Sequence, residues 1–318
     1  MIIPTQQNIV AACDRVRPYV HRTPVLTSTL LNKLSGCNLY FKCENFQKMG
    51  AFKMRGAVNA IQQLSAAQKQ AGVVTHSSGN FAQAVSLAAR NLGVQAYIVM
   101  PTNAPSVKKA AVRDYGGIIS ECEPTLEARE AKSQEIAKET GATFLHPSND
   151  LNVILGNATA TAELLEDYSD LDYVFTPIGG GGLIAGTALA AHHFVPNCKV
   201  IGGEPLEADD AFRSLQSGTI EINKTAKTIA DGLRTQLGDI NFPIIKALVH
   251  EIIRVEEDEI VLAMRLAWER LKVVIEPSSA VPLAALLSEK SRFQNKKIGI
   301  IISGGNIDVE NLPFVKTK

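Results

Sequence analysis

Gly50-Ala51-Phe52-Lys53-Met54-Arg55-Gly56-Ala57 is the stretch from which the chain is best read, together with Ser77-Ser78-Gly79-Asn80 further on. The octapeptide sets one lysine beside an aromatic residue, among small residues, at the entrance to a helix-compatible segment. Burial disfavours a charged ammonium, so such a lysine sheds its proton more easily and its neutral amine can attack a carbonyl. Alone, the octapeptide reads equally well as a surface lysine near a helix start. The second stretch adds a glycine loop with two hydroxyls and an amide, directly after the strand-like run Gly72-Val73-Val74-Thr75.

Outward from these two stretches, short β-branched runs alternate with longer helical patterns. Strands are expected at Leu39-Tyr40-Phe41-Lys42, Val73-Val74-Thr75, Ala96 to Met100, Gly117 to Ser120, Tyr173 to Thr176, Lys199 to Gly202 and Ile298 to Ile302. Helices are expected over Phe81 to Leu92, Ser106 to Tyr115 and Leu126 to Glu139. The strand runs are continuously apolar rather than alternating, which points to parallel strands covered on both faces. The expected class is therefore α/β, with two open parallel-sheet lobes and a cofactor cleft between them. The expected division is a small substrate-loop domain over 72–149, and a large cofactor-binding domain made of 1–71 and 150–318.

Composition narrows the function. Lys+Arg and Asp+Glu are both 32, so the net charge is zero and gives no electrostatic reason to expect nucleic acid or an anionic membrane as partner. The five cysteines are scattered, odd in number and without a CxxC pair, which suggests neither a disulfide framework nor a zinc site. With no basic-then-apolar leader at Met1-Ile2-Ile3-Pro4 and no membrane-length apolar run, a cytoplasmic setting is expected.

Pro177-Ile178-Gly179-Gly180-Gly181-Gly182-Leu183 follows a strand and enters a helical run. Consecutive glycines let backbone N–H groups crowd an anion at a helix N-terminus, so a phosphate is the expected guest. Gly180, Gly182 and Ala185 also fit a G-x-G-x-x-A dinucleotide fingerprint, with Glu204 placed to bind a ribose. An NAD-dependent dehydrogenase is the remote alternative. A third glycine loop, Ser303-Gly304-Gly305-Asn306, and the lysine motif suit one compact phosphorylated ring better than a long dinucleotide.

These four motifs, in this order, resemble the fold type II (tryptophan synthase β-like) pyridoxal-phosphate enzymes, and within them the serine/threonine dehydratase and serine racemase family. The resemblance runs from about Arg22-Thr23-Pro24-Val25 to Asn306. It implies that Lys53 holds pyridoxal 5'-phosphate as a Schiff base and acts as the base at Cα. Phe52 and Gly232 would flank the ring, Asn80 would meet the ring hydroxyl, Gly179, Gly180, Gly181 and Gly182 would hold the phosphate, and Ser303 would face the pyridine nitrogen. Ser77, Ser78 and Asn80 would receive the substrate carboxylate. A serine opposite the pyridine nitrogen does not hold a proton there, which favours β-elimination over a long-lived carbanion.

The implied activity is loss of water from serine, threonine or 3-hydroxyaspartate, giving a 2-oxo acid and ammonia. The alternative is racemisation with Ser78 as the acid/base on the face opposite Lys53; Ser78 could equally bind carboxylate or cap the helix beginning near Phe81. Glu204-Pro205-Leu206-Glu207-Ala208-Asp209-Asp210 resembles the racemases' cation loop, with Glu204, Ala208 and Asp210 as ligands for Mg²⁺, or for Ca²⁺ or Mn²⁺; it also reads as a solvated acidic loop. A homodimer is implied as well.

Two departures bear on substrate. Phe81 stands where the family usually has histidine, so a polar contact near the substrate carboxylate is either missing or replaced by an apolar wall. Gly156-Asn157-Ala158-Thr159 stands for the usual Gly-Gln-Gly-Thr, and Pro147-Ser148-Asn149 lacks the usual Pro-Asn. His146, His192 and His193 lack acidic or cysteine partners at metal spacing, and structural roles are expected for them.

Overall fold

Every run expected to be a strand is one in a computed structural model that describes residues 3–314, although the strands expected to end at Ser120 and Gly202 run on to Cys122 and Pro205. Ten strands occur among the described residues: β1 (Val25–Leu26), β2 (Asn38–Cys43), β3 (Val73–His76), β4 (Ala96–Pro101), β5 (Ile118–Cys122), β6 (Thr143–Phe144), β7 (Tyr173–Pro177), β8 (Lys199–Pro205), β9 (Glu251–Val255) and β10 (Lys297–Ile302). They form a six-stranded sheet in the order β1-β2-β10-β7-β8-β9 and a four-stranded sheet in the order β5-β4-β3-β6. All neighbouring pairs are parallel except β1 with β2. This is the α/β class with open parallel sheets.

Packing explains why the strands read as unbroken apolar runs. In β10, Ile301 faces a core shared with Ile184 and Leu189 of the helix Gly182–Phe194. Ile298 and Ile300 face the other side, against Leu283 and Leu286 of the helix Pro277–Ser288. The smaller sheet is covered in the same way. Val73 and Ile98 pack with Val85 of the helix Asn80–Asn91, while Val74 and Val99 pack with Ile136 of the helix Leu126–Thr140. With both faces dry, neither face selects polar residues.

Three helices meet almost backbone to backbone behind the cleft. A Cβ at Gly156 (helix Leu151–Asp167) would lie 2.4 Å from the Arg55 carbonyl of the helix Lys53–Gln62, and one at Gly186 would lie 2.7 Å from the Ala158 nitrogen. No side chain fits at either place. Arg55 also carries the main buried charge cluster. Its guanidinium reaches Glu44 and Glu163 at 2.8 Å each, and Lys42 reaches Glu163 at 2.6 Å; Arg55, Glu44 and Lys42 have no solvent exposure. Burial works against the Arg55 charge, but Glu44 and Glu163 more than offset it and keep the group protonated.

Every motif singled out in the sequence lies on this frame at the C-terminal end of a parallel strand or on a helix that starts there. Ser77 to Asn80 follow β3, Gly179 to Gly182 follow β7, and Ser303 to Asn306 follow β10. That edge is where open α/β sheets gather ligands.

Candidate active site

Lys53 is the first residue of its helix, and the segment before it is tied to the loop after β10. The Phe52 N–H donates to the Ser303 carbonyl at 2.9 Å, and the Gly305 N–H to the Gly50 carbonyl at 2.9 Å. The Lys53 Nζ donates to the Pro147 carbonyl at 2.7 Å and lies 5.1 Å from the Phe52 ring centre and 5.5 Å from that of Phe81. Phe81 thus forms the apolar wall that its replacement of a histidine leaves open. Burial pushes the Lys53 amine down to about 8, against the opposing pull of Glu276.

The Pro147 carbonyl is presented by a turn that His146 shapes. Its Nδ1 accepts the Ser148 and Asn149 N–H groups at 3.1 and 2.7 Å. Burial, His76 and Lys53 push the imidazole down to about 4, so it is neutral and remains an acceptor. That is a structural role, next to the lysine. Ser148 then lies over the glycine loop, and Asn241 Nδ2 clamps the two by donating to the Ser148 and Gly180 carbonyls at 3.1 and 2.8 Å.

The glycine loop has the shape of an anion cradle. A Cβ would fall 2.9 Å from the Gly232 carbonyl at Gly179, 2.3 Å from Ser148 Oγ at Gly180 and 2.9 Å from Ser148 Cα at Gly182; Gly181 has φ +80°. Among the described residues, Gly179, Gly180 and Gly181 donate their N–H groups to no protein acceptor. Gly181 is the N-cap of the helix Gly182–Phe194, which has no side-chain cap, so these donors and the helix dipole are left for a ligand. A phosphate fits this donor set, and Gly232 is brought beside it, its N–H on Ser278 Oγ at 3.1 Å.

On the far side, Ser303 Oγ lies 2.9 Å from Ser279 Oγ. Asn80 Nδ2 donates to both oxygens of Glu276, at 2.9 and 3.0 Å, and its Oδ1 accepts from Asn306 Nδ2 at 2.9 Å. Ser77 Oγ accepts the Gly79 N–H at 3.3 Å, whereas Ser78 makes no side-chain hydrogen bond among the described residues. The helix is capped by Gly79 and not by Ser78, so the capping alternative for Ser78 does not hold. Glu276 and Ser279 are site residues that sequence reasoning misses, and Ser148 stood out in sequence only as part of a departure from the family pattern. Glu276 precedes a proline at a helix start, Ile275-Glu276-Pro277, and its only signal is a charge inside an apolar stretch.

Two expectations change. Glu204 is fully buried, and its oxygens take the Ala211 and Phe212 N–H groups at 2.9 and 2.8 Å, so it cannot serve a ribose in the dinucleotide reading. The Asn157 amide is buried with neither polar atom partnered, so it forms an orphaned group in the helix packing rather than part of the cleft's hydrogen-bonding. The acidic loop itself is not a solvated turn. Asp210 takes the Asn223 amide at 2.6 Å and the Leu237 N–H at 3.1 Å, and Ala208 is buried beside it. Burial raises Glu204 well above the usual carboxyl range and Asp210 to about 6, and the Asp210 charge raises Glu204 further.

Residues 16–304 match the family described as pyridoxal-phosphate dependent enzyme. The chain belongs to that family. This pyridoxal-phosphate dependent enzyme is 48% identical to the beta-hydroxyaspartate dehydratase of Paracoccus denitrificans, over 99% of this chain and 100% of that one. It is 45% identical to the L-threo-3-hydroxyaspartate ammonia-lyase of Saccharomyces cerevisiae, over 98% of this chain and 95% of the other. Among solved structures it superposes on serine racemase from Dictyostelium discoideum with a TM-score of 0.93 and 50% identity, covering 97% of this chain and 100% of that one. The likeness is to fold type II enzymes.

Proposed function

We propose that this pyridoxal-phosphate dependent enzyme eliminates water from a small β-hydroxy amino acid, serine, threonine or 3-hydroxyaspartate, to give a 2-oxo acid and ammonia. The observation that carries this is the Lys53 amine, near two aromatic rings with its pKa brought to about 8, hydrogen-bonded to Pro147, whose neighbour Ser148 packs on the phosphate-shaped glycine loop. When bound, pyridoxal phosphate supplies the electron sink for the Cα bond pair. The chain supplies the rest. Gly179 to Gly182 would hold the phosphate, Phe52 and Gly232 would bound the ring, and Ser303 would offer a neutral hydroxyl to its nitrogen. The open N–H groups at the start of the helix Asn80–Asn91, with Ser77 and Ser78, receive the substrate carboxylate. At pH 7 about a tenth of an amine with this pKa is unprotonated, and in that form Lys53 would take the Cα proton, which with the hydroxyl lost from Cβ makes up the water eliminated. The released enamine hydrolyses to the 2-oxo acid and ammonia.

Racemisation is the second reading, favoured by the Ser78 hydroxyl, which no side-chain hydrogen bond engages among the described residues. Racemisation needs a proton relay on both faces of Cα, whereas elimination needs only Lys53. Ser78→Ala is expected to suppress racemisation of serine at least about tenfold more than ammonia release, measured side by side on L- and D-serine. Equal losses would remove Ser78 as a second-face acid. Absence of ammonia from serine, threonine and 3-hydroxyaspartate alike would refute the elimination.

Glu204, Asp210 and the Ala208 carbonyl would supply hard oxygen ligands to a divalent cation, Mg²⁺ foremost; what supports this is that both carboxyls are buried, the Asp210 charge acts on Glu204, and neither makes an ion pair among the described residues. Mg²⁺ or Ca²⁺ is expected to raise the Tm of chelator-treated protein, and Glu204→Gln to remove that rise; identical melting with and without cation would leave only an acidic loop. The division into a small domain over 72–149 is supported by the four-stranded sheet, whose strands all lie between Val73 and Phe144.

A further inference from the structure

Glu276 is a carboxyl that the proposed reaction does not use, and its surroundings are unusual. It is 5% exposed, at the N-cap of the helix Pro277–Ser288, yet its side chain caps nothing. Among the described residues it forms no ion pair. A Cβ on Gly304 would come within 2.8 Å of its Oε1, so the loop after β10 closes directly over it. The polar groups that touch it are the Asn80 amide and the Asn306 backbone N–H. Burial foremost, and Asp231 after it, push its carboxyl up to about 7, while the Asn80 amide and Lys108 favour the ionised form; Asp231 and Lys108 pair with each other at 2.7 Å, and Glu276 in turn acts on Lys53.

The hydrogen bonds around it run in a fixed direction. Asn306 Nδ2 donates to the Met49 carbonyl at 2.8 Å, and a carbonyl can only accept, so the Asn306 amide cannot be turned round. The same Nδ2 donates to Asn80 Oδ1, which forces Asn80 to present its nitrogen on the other side. There Glu276 accepts from the Asn80 amide with both oxygens. The Asn80 amide is therefore locked from both ends, with the oxygen engaged and one N–H still available.

We propose that Glu276 is a positioning residue that holds Asn80 with its amide nitrogen, not its oxygen, toward the ring oxygen of the bound cofactor. The proposal rests on the pyridoxal-phosphate reading of the site. A donor at that place stabilises the ring oxygen in its anionic form, and an acceptor would repel it. Replacing Glu276 by glutamine puts an amide nitrogen among groups that are themselves donors, the Asn80 Nδ2 and the Asn306 N–H. The relay then loses its direction at that end.

The test compares Glu276→Gln with the exchange Asn80→Asp plus Glu276→Gln. In the exchange, the carboxylate introduced at position 80 accepts from the amide introduced at position 276 and still accepts from Asn306. Three readouts are taken on each protein: Tm without cofactor, the absorption spectrum of the reconstituted protein, and the Kd for pyridoxal phosphate. For Glu276→Gln, a shift between the spectral bands of the protonated and ionised ring oxygen is expected, with a Kd about tenfold weaker. The exchange is expected to recover the Tm but neither the spectrum nor the Kd, because it returns the hydrogen bonds while turning an acceptor toward the ring. Recovery of all three by the exchange would overturn the proposal and leave Glu276 as a structural tie, as would an unchanged spectrum and Kd in Glu276→Gln. A wild-type chain that gains no cofactor absorbance would instead sink the underlying pyridoxal-phosphate reading.

Discussion

Lys53 and Arg55 leave the same first turn of one helix, two residues apart, and meet opposite fates. Arg55 is enclosed by Glu44 and Glu163, with its charge matched at hydrogen-bond distance. Lys53 has a carbonyl and two aromatic rings, and the carboxyl that acts on it, Glu276, makes no ion pair with it. Burial lowers the charged form in both cases. Where carboxylates offset burial the cation is permanent, and where they do not it can be lost near pH 8. The pair shows how one helix can carry a permanent charge that ties segments together and a labile one available for chemistry.

The sharpest way to break this contrast is to delete each partner. Lys53→Ala is expected to cut turnover at least about a thousandfold and to remove the absorbance of the covalently held cofactor, with the melting temperature of the cofactor-free chain held or raised. Persistence of that absorbance would show that another amine carries the linkage. Arg55→Ala should act in the opposite sense, on stability, with a loss of about 3–5 kcal/mol in denaturant unfolding because two buried carboxylates lose their cation. A loss below about 1 kcal/mol would mean that water replaces the guanidinium and that the cluster contributes little.

The smallest effect is a pH dependence of the cofactor-free chain. The folded-state pKa of Lys53, about 8, lies below its ordinary value of 10.5, so between these values the unfolded chain binds more protons. The Lys53 contribution therefore improves as pH rises through that window, and it is at its most unfavourable below about pH 8. Lys53→Met is expected to be more stable than wild type by about 1–3 kcal/mol near neutral pH, with the difference closing as pH approaches the ordinary lysine value. An equal gap at neutral and strongly alkaline pH would place the amine in solvent and dissolve the contrast with Arg55.

Much of the frame was legible because the central parallel strands are dry on both faces, which writes an unbroken apolar run such as Ile298-Gly299-Ile300-Ile301-Ile302 into the sequence. The two-residue strands β1 and β6 left no such trace, and β9, an edge strand with Arg254 turned outward, lacks the run. In the site, glycines and the lysine announced themselves through local composition. Glu276 and Ser148 did not, because their roles come from residues far along the chain: Asn80 for the first and Gly180 for the second. Glu204 had two readings in sequence, and only the Ala211 and Phe212 N–H groups on its oxygens decide against the sugar.

The bare contact between Gly156 and the Arg55 carbonyl has a consequence for how this protein can change. Main chain resting on main chain fixes the height of the reactive amine, so ordinary side-chain replacements around the mouth leave that height alone. Variants selected at positions such as Phe81 or Ser148 can thus trade one amino acid for another as reactant while the anchor keeps its place. Laboratory evolution of new specificities should accordingly succeed at the rim and fail at those two helices.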